Sequence, residues 1–563
     1  MSQHKIAEPY RRAQLTGAYD AIVVGSGMGG LATAALLAKH GGRRVLVLER
    51  HYAIGGYTHV FRRPGYEWDV GVHYIGDAAP GGLVRALFDD LTDGRLEWED
   101  MGATVERMRI GDETYVYPKG EAALRAELVR RFPTEASAID GYFALVHQTV
   151  AATQDFFARK AFPRLLGAVL KPMARRRFFR FADRTTREVL RELTANETLI
   201  AVLTGQFGDY GLPPSRSSFA IHALVTQHYF GGGYFPVGGA GRIAASIAPV
   251  IRAAGGELLV NAEVAEIVVE RDRAVGVRMA EDDAVLRAPL VISDAGVANT
   301  FGRLVPPAVV ERHGLARALD GMRPSVAHAC LYVGLKGTTE ELGLERANLW
   351  IYPDEHHDRT AELAADPTAI RYAYVSFPSA KDPDFDRRCP GKSTIDVMTF
   401  LPYDAFARWQ DTRWQKRGAE YDAFKREIAD RLLDLLYTHV PSIRGAVEVA
   451  ELSTPLSSRN FTAHPHGEIY GLEHTPARFR NPYLQPATPV RGLMLTGADV
   501  ATAGVAGALL GGAVCASAIL RRNLVEASRA SAAARGSSPA SSSALDQRGS
   551  AGGPRAAGAR AAA

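Results

Sequence analysis

The 563-residue chain has only three cysteines, Cys330, Cys389 and Cys515, odd in number and far apart. That spacing offers neither a disulfide framework nor a thiolate metal cluster, and it fits a reducing compartment. Excess charge is also lacking: 66 Lys and Arg stand against 62 Asp and Glu, so nothing points to nucleic acid as a partner. The opening MSQHKIAEPYRRAQ has no apolar core of the kind a signal peptide needs. Long apolar runs are scarce. Residues 500–520 carry no charge and are long enough to span a bilayer. They consist mostly of Ala and Gly, however, where a spanning helix would carry Leu, Ile and Phe. A helix buried against other backbone is expected there, and no transmembrane helix. A Walker motif, a Ser-His-Asp signature, a paired-carboxylate motif and a repeat of useful length are all missing. His356 and His357, with Asp354, Glu355 and Asp358, are consecutive and lack helical i, i+4 spacing, so no metal site is expected.

What the chain does have is a glycine-rich turn near its start. Residues 21–24 (AIVV) are a fully apolar run that reads as a buried parallel strand. The run stops at Gly25-Ser26-Gly27-Met28-Gly29-Gly30, a G-x-G-x-x-G match, and residues 31–39 continue as an Ala/Leu-rich helix. Residues 44–48 form a second apolar strand, with Glu49 at its end, nineteen positions after Gly30. Gly25 permits the tight turn, Gly27 lets backbone approach a pyrophosphate, and Gly30 lets helix and strand pack closely. The helix N-terminus offers free N–H groups and partial positive charge to that anion. A carboxylate on the second strand accepts from a ribose diol. Strand, turn, helix, strand and acid in this order predict a dinucleotide-binding unit.

Glu49-Arg50-His51-Tyr52-Ala53-Ile54-Gly55-Gly56 runs directly into a second glycine pair. Dehydrogenases that hold NAD rarely need a small-residue turn so soon after the ribose acid. Flavoproteins do, because the chain folds back there over the pyrophosphate and the flavin stem, so FAD is the expected ligand. This extension resembles the amine-oxidase and phytoene-desaturase group of FAD enzymes. Three blocks narrow the resemblance: GGYTHVFRRPGYEWDVGVHYIG (55–76), SFPSAKDPDFDRRCPGKST (376–394) and LTGADVATAGVAGALLGGAVCASAILRRN (495–523). They are similar to the corresponding stretches of the all-trans-retinol 13,14-reductases (retinol saturases), relatives of carotenoid isomerases and phytoene desaturases. The resemblance covers about residues 18–523 and is thin in the middle.

The resemblance implies an α/β architecture: a Rossmann-type, amine-oxidase-like FAD-binding domain on a parallel sheet, with a second, discontinuous α+β substrate domain. The FAD domain is expected from residues 18–80, 230–300 and 484–524, and the substrate domain from 81–229 and 301–483. Beyond about residue 526 the chain is Ala, Ser, Gly and Arg, and 526–563 is expected to be a disordered tail. The cofactor-binding set is Gly25, Ser26, Gly27, Met28, Gly29, Gly30, Glu49, Arg50, Gly55 and Gly56. By resemblance, the backbone of Val264 meets the adenine, Asp499 in Gly497-Ala498-Asp499 meets the ribitol hydroxyls, and the N–H groups near Gly504 and Val505 meet the flavin's pyrimidine edge. A helix N-terminus there stabilises negative charge on reduced flavin.

Between these blocks, residues 83–203 read as helix-rich and interrupted by prolines. From Phe156 to Phe181 the chain carries eight Lys and Arg and no acid, interleaved with phenylalanines. Such a stretch can lie in a membrane interface, or it can be a solvated basic face over a buried side. The turn 231–241 (GGGYFPVGGAG) has no apolar strand before it and is no second fingerprint; it resembles the desaturase turn that re-enters the FAD domain. Strands are expected at 257–260, 262–270, 274–279, 290–293, 327–335, 373–377, 393–400 and 495–499, and a largely helical stretch at 403–436.

The implied chemistry is redox or redox-neutral work on a conjugated isoprenoid, with a lipophilic small molecule as the partner. Saturation of a carbon–carbon double bond leads, with desaturation or cis–trans isomerisation as the alternatives, and a flavin-containing lipid-binding protein without turnover as the rival outside enzymes. Saturation needs a proton donor beside the hydride acceptor. His73 and Tyr74 in DVGVHY are the candidates, with His59 third, while His464 and His466 read as surface-loop residues. With one nucleotide fingerprint, electrons come from NAD(P)H visiting the substrate face, from another redox protein, or from a membrane quinone. A cytoplasmic protein, peripheral at the membrane if residues 156–181 touch lipid, is the expected setting.

Overall fold

The structure, a computed structural model, describes residues 6–11, 15, 17–158, 160, 164–364, 366–367 and 369–536, without the side chains of 164–172, 361, 363, 535 and 536. Its centre is a six-stranded, wholly parallel sheet in the order Glu8–Pro9, Glu257–Val260, Val45–Leu48, Ala21–Val24, Val291–Ser293, Leu493–Leu495. The central strands Val45–Leu48 and Ala21–Val24 are short and wholly apolar and buried because both faces are covered, whereas the edge strand Glu8–Pro9 is exposed. Ala21, Val23, Val45 and Val47 point into a core built with the helices Met28–Gly41, Gly241–Ala253 and Gly504–Leu520. Ile22, Val24, Leu46 and Leu48 point to the opposite core, under the antiparallel strands Val264–Glu270, Arg273–Met279 and Val285–Arg287. The hairpin between the first two of these turns through Arg271 and Asp272, both at positive φ.

The charge-free run near the C-terminal end is the helix Gly504–Leu520, packed on Met28–Gly41 with glycine at the contact. A Cβ on Gly29 would lie 2.3 Å from Cα of Gly497, one on Gly511 2.1 Å from its carbonyl oxygen, and one on Gly512 2.6 Å from Ala32 Cβ. Among the described residues no single helix is long and apolar enough to cross a membrane.

A second sheet has seven strands in the order Val447–Ser453, His328–Lys336, Lys392–Phe400, Ala373–Ser376, Asn348–Tyr352, Thr104–Ile110, Glu113–Pro118. All its pairings are antiparallel except Asn348–Tyr352 with Thr104–Ile110. Helix Ala419–His439 packs on one face through Ile428, Leu432 and Leu436.

The structure departs from the sequence expectations in four places. Residues 83–203 are not only helical: Thr104–Ile110 and Glu113–Pro118 largely alternate buried and half-buried residues and extend the seven-stranded sheet. The last parallel strand is Leu493–Leu495 rather than 495–499, because Gly497 turns at φ +84°. Residues 403–436 divide into a 3-10 turn, Tyr403–Trp409, and the helix Ala419–His439. Finally, the stretch expected to be disordered starts as a helix, Leu524–Gly536, because Leu524 and Ser528 are buried and Ser528 Oγ donates to Asp90 at 2.6 Å. The rest of that tail, 537–563, lies outside the described residues.

Candidate functional site: a nucleotide cradle opening into an aromatic cavity

Gly25 takes φ +99° and donates its N–H to the Leu48 carbonyl, which bends the chain between the first two parallel strands. Glu49, buried at the end of its strand, is held on both oxygens. Ser26 N–H and Oγ donate to one at 3.0 and 2.7 Å, and His51 N–H donates to the other at 2.8 Å. The Ser26 hydroxyl also accepts from Gly55 N–H at 3.1 Å, tying the second glycine pair to the first. Gly56, at φ +55°, comes so near that a Cβ there would be 3.0 Å from Gly27 Cα. This is backbone laid over backbone around a cavity of about 300 Å³, lined by Gly25–Gly29, Glu49, Arg50, Gly55, Gly56, Val264, Asp499, Gly504 and Val505.

Every residue of the expected cofactor set except Gly30 and Gly497 lines that cavity. Gly30 packs its Cα against the Gly25 carbonyl, and Gly497 sits under Gly29. Val264 opens its strand. Asp499 Oδ2 accepts from Val297 N–H at 2.8 Å, and its other oxygen faces the buried Arg478 at 3.5 Å. Gly504 and Val505 begin their helix at the far end of the cavity. Arg50 donates to the Asn460 carbonyl and keeps a buried Nε without a hydrogen-bond partner.

Nothing in the sequence singles out Asp294, which ends its strand in a plain turn. In the fold its carboxyl points into the glycine loop and accepts from Gly27 and Gly30 N–H. A Cβ at Gly27 would be 2.6 Å from its Oδ2 and one at Gly497 2.4 Å from its Oδ1. Burial, opposed by those N–H groups and reinforced by the Glu49 and Asp499 charges, pushes Asp294 up to about 8. The acid facing the loop is therefore neutral at pH 7.

At Gly71, His73, His328, Met398, Ile469, Tyr470, Gly504 and Val505 the cradle meets a second cavity of about 940 Å³. Tyr229, Trp350, Tyr372, Tyr374, Phe400 and Tyr470 wall it. Both ring nitrogens of His73 are buried without a hydrogen-bond partner, and Nδ1 is 3.5 Å from Asp396. Burial, then the nearby Lys381 cation, lowers it to about 3, so its imidazole is neutral. His328 beside it falls to about 4 by burial and the influence of His73. Tyr74 stacks on Tyr229 with centroids 4.3 Å apart and donates its hydroxyl to Asp209 Oδ2 at 2.8 Å. Asp209 lines the cavity, and burial followed by the Glu106 charge raises it well above the usual carboxylate range. It lies in FGDYG, a stretch that reads as loop, and its buried environment comes from elements far away in sequence.

Lys381 belongs to one of the three resemblance blocks and is fully buried beneath this junction. Its ammonium donates to His73 O at 2.9 Å, to Ser376 Oγ at 2.7 Å and to Asn348. Burial, opposed by Glu106, Asp396 and Asp69, lowers it to about 7. Asp69, pushed up to about 8 mainly by burial, accepts from Ala240 N–H, and Asp382 accepts from Gly238 N–H. Blocks 55–76 and 376–394 and the turn 231–241 are thus knitted into one wall. Of the other histidines, His59 bonds the Gly56 carbonyl and lines the cradle. His464 also lines it, against the surface-loop expectation, whereas His466 is exposed. His357 is buried under Tyr352, centroids 4.2 Å apart.

A parallel sheet carrying a glycine turn and an acid-ended second strand, open to an apolar cavity, defines an α/β dinucleotide-binding oxidoreductase. The family model for flavin containing amine oxidoreductase matches residues 28–520, and the chain belongs to this family. The chain is 37% identical over 525 residues to an all-trans-retinol 13,14-reductase of Danio rerio, covering 90% of this chain and 86% of that protein. It is 34% identical over 539 residues to one of Homo sapiens, covering 92% and 88%. Among solved structures, an oxidoreductase from Methanosarcina mazei shares the fold with a TM-score of 0.57 at 18% identity, over 89% of this chain and all of that one.

Proposed function

We propose that the protein is an FAD-dependent oxidoreductase that saturates a carbon–carbon double bond of a retinoid- or carotenoid-like polyene. The observation that carries this reading is the aromatic cavity of about 940 Å³ that meets the nucleotide cradle and holds the part-buried Tyr74–Asp209 pair. Its size is that of a small-molecule site, and flat aromatic walls complement a flat conjugated chain. The similarity to retinol 13,14-reductases supports the same substrate class.

The residues that fit FAD are the glycine loop for the pyrophosphate, Glu49 for the adenosine ribose, Val264 for the adenine, Asp499 for the ribitol, and the start of helix Gly504–Leu520 for the ring. Bound there, the flavin supplies the hydride. The chain's own work is to exclude water, hold the polyene across the junction and deliver a proton to the carbon next to the one that gains hydride. Asp209 holds that proton at neutral pH because burial disfavours its anion. For transfer the hydrogen bond reverses: the Asp209 O–H donates to the Tyr74 oxygen, and the Tyr74 hydroxyl gives its own proton into the cavity. His73, neutral and without a hydrogen-bond partner, shapes the junction. NAD(P)H is the proposed reductant. The setting proposed is the cytoplasm, with peripheral membrane contact through residues 156–181.

The test is to reduce the protein-bound flavin without oxygen and add a panel of retinoids, carotenoids and amines. Reoxidation by one polyene, with a product two hydrogens heavier, is the expected result. Geometric change of the polyene while the flavin stays reduced would make it an isomerase. Reduction of oxidised flavin by an amine, with no response to any polyene, would overturn the proposal.

A further inference from the structure

Another cavity, of about 860 Å³, opens beside the starts of two parallel strands, at Ala21 and Leu290, away from the glycine loop. Five arginines line it, Arg43, Arg175, Arg273, Arg480 and Arg521, with Lys160, which burial and the Arg478 charge lower to about 7, against one acid, Asp20. Arg43 reaches Asp20 at 3.4 Å, and Arg480 is paired with Asp183. Among the described residues, Arg175, Arg273 and Arg521 have no carboxylate partner: Arg273 donates to the Pro289 carbonyl, and Arg175 lies over the Phe179 ring at 5.5 Å. Lys160 donates to the carbonyls of Leu484 and Val500 at 2.8 and 2.9 Å and anchors the basic segment to the parallel-sheet side. The floor is Phe156, Phe179 and Phe479.

Three unpaired guanidinium forks above an aromatic floor suit a ligand with a phosphate at one end and hydrocarbon at the other. The groove shares a wall with the polyene cavity. In the last turns of helix Ala136–Ala158, Phe156 faces the groove while Thr153 and Phe157 face the cavity. Met173, next to Ala174 and Arg175, is 84% exposed, the most exposed large apolar side chain among the described residues. Among the described side chains of the segment 156–181, by contrast, Phe157, Phe178, Phe179 and Phe181 are buried in the protein, while Met173, Arg175, Arg176, Arg177 and Arg180 are exposed.

We propose that this groove seats the phosphate and upper acyl chain of an anionic membrane phospholipid, docking the protein on an anionic bilayer with the polyene cavity next to the lipid. The inference rests on the peripheral-membrane reading above and names its lipid. Charge complementarity selects an anionic lipid, and the apolar floor with the exposed Met173 selects a membrane over a soluble phosphate.

The experiment is co-sedimentation of the flavin-loaded protein with vesicles of phosphatidylcholine alone or mixed with phosphatidylglycerol. Binding is expected to the mixed vesicles only, and to fall when salt shortens the Debye length from about 8 to about 3 Å. The double variant Arg175→Gln/Arg521→Gln is expected to bind about 25-fold more weakly, about fivefold per cation removed. The charge-matched control Arg426→Gln/Arg431→Gln, on the exposed side of helix Ala419–His439, is expected to bind like the unaltered protein. Flavin absorbance and melting temperature establish that each variant is folded. Equal binding to both vesicle types, no binding to either, or an equal loss in the control overturns the proposal. So does inorganic phosphate protecting the groove arginines from a guanidine-reactive reagent while mixed vesicles do not. Vesicle binding is read without turnover, so this result and that of the polyene assay can fail independently.

Discussion

Asp294, part-buried behind the glycine loop, leads to a prediction about cofactor binding that the motif alone does not give. Its carboxyl shares the Gly27 and Gly30 N–H groups with the expected pyrophosphate and stands at about 8. Below that value it is a neutral group able to donate to a phosphate oxygen; above it, it places an anion against an anion. With a value of 8 the neutral fraction falls from about nine-tenths at pH 7 to about one-tenth at pH 9. If only the neutral form admits the diphosphate, FAD affinity drops about tenfold across that window, about 1.4 kcal/mol. The other carboxylates facing it, Glu49 and Asp499, are held by backbone N–H groups, and burial pushes Cys515 up to about 12, outside the window. Asp294→Asn keeps the shape and the donor but cannot ionise, so its affinity should be flat from pH 7 to 9. The assay is quenching of FAD fluorescence on titration into flavin-free protein at each pH. A flat profile for the unaltered protein, or the same slope in the asparagine variant, would refute the reasoning.

Further outcomes follow from the same geometry. Gly29→Ala drives a Cβ to 2.3 Å from Gly497 Cα, and since neither backbone can yield cheaply it should cost roughly 1–3 kcal/mol and lower flavin content, read by melting temperature and visible absorbance. Asp209→Asn and Tyr74→Phe should each slow single-turnover flavin reoxidation by polyene about 100-fold or more while FAD affinity stays unchanged; a larger loss in His73→Gln would move the proton to the imidazole. Lys381→Met leaves the His73 carbonyl, Ser376 Oγ and Asn348 buried without their donor and should destabilise the protein by about 1–3 kcal/mol, seen as a lower denaturant midpoint.

The nucleotide cradle was legible in the chain because its determinants are local. Gly25 to Gly30 and Glu49 lie within one βαβ unit, and the turn, the close approach and the acid each need a particular residue type at a particular spacing. The chemistry at the junction was not legible, for the opposite reason. Asp209 reads as loop, and it acquires a raised pKa only when the fold buries it and brings the Glu106 charge near, against the lowering effect of the Tyr74 hydrogen bond. Lys381 is an ordinary surface-type residue until strands Asn348–Tyr352 and Ala373–Ser376 bury it. Strands Thr104–Ile110 and Glu113–Pro118 form a hairpin hidden among helical sequence, and the strand that joins it to the sheet, Asn348–Tyr352, lies more than two hundred residues downstream of Thr104–Ile110. Tyr74 was legible as a candidate, but not what makes it one.

The contact of Gly29 with Gly497 and Gly511 also bears on how the protein is made. The ribosome makes the fingerprint more than 450 residues before the floor beneath it. For most of its synthesis the nascent chain exposes a glycine turn and an apolar helix face with nothing to rest on. The cradle closes only after helix Gly504–Leu520 has been made, so its folding depends on contacts far apart in sequence. A message cut short before codon 497 would yield a chain that carries the whole motif and cannot hold the nucleotide.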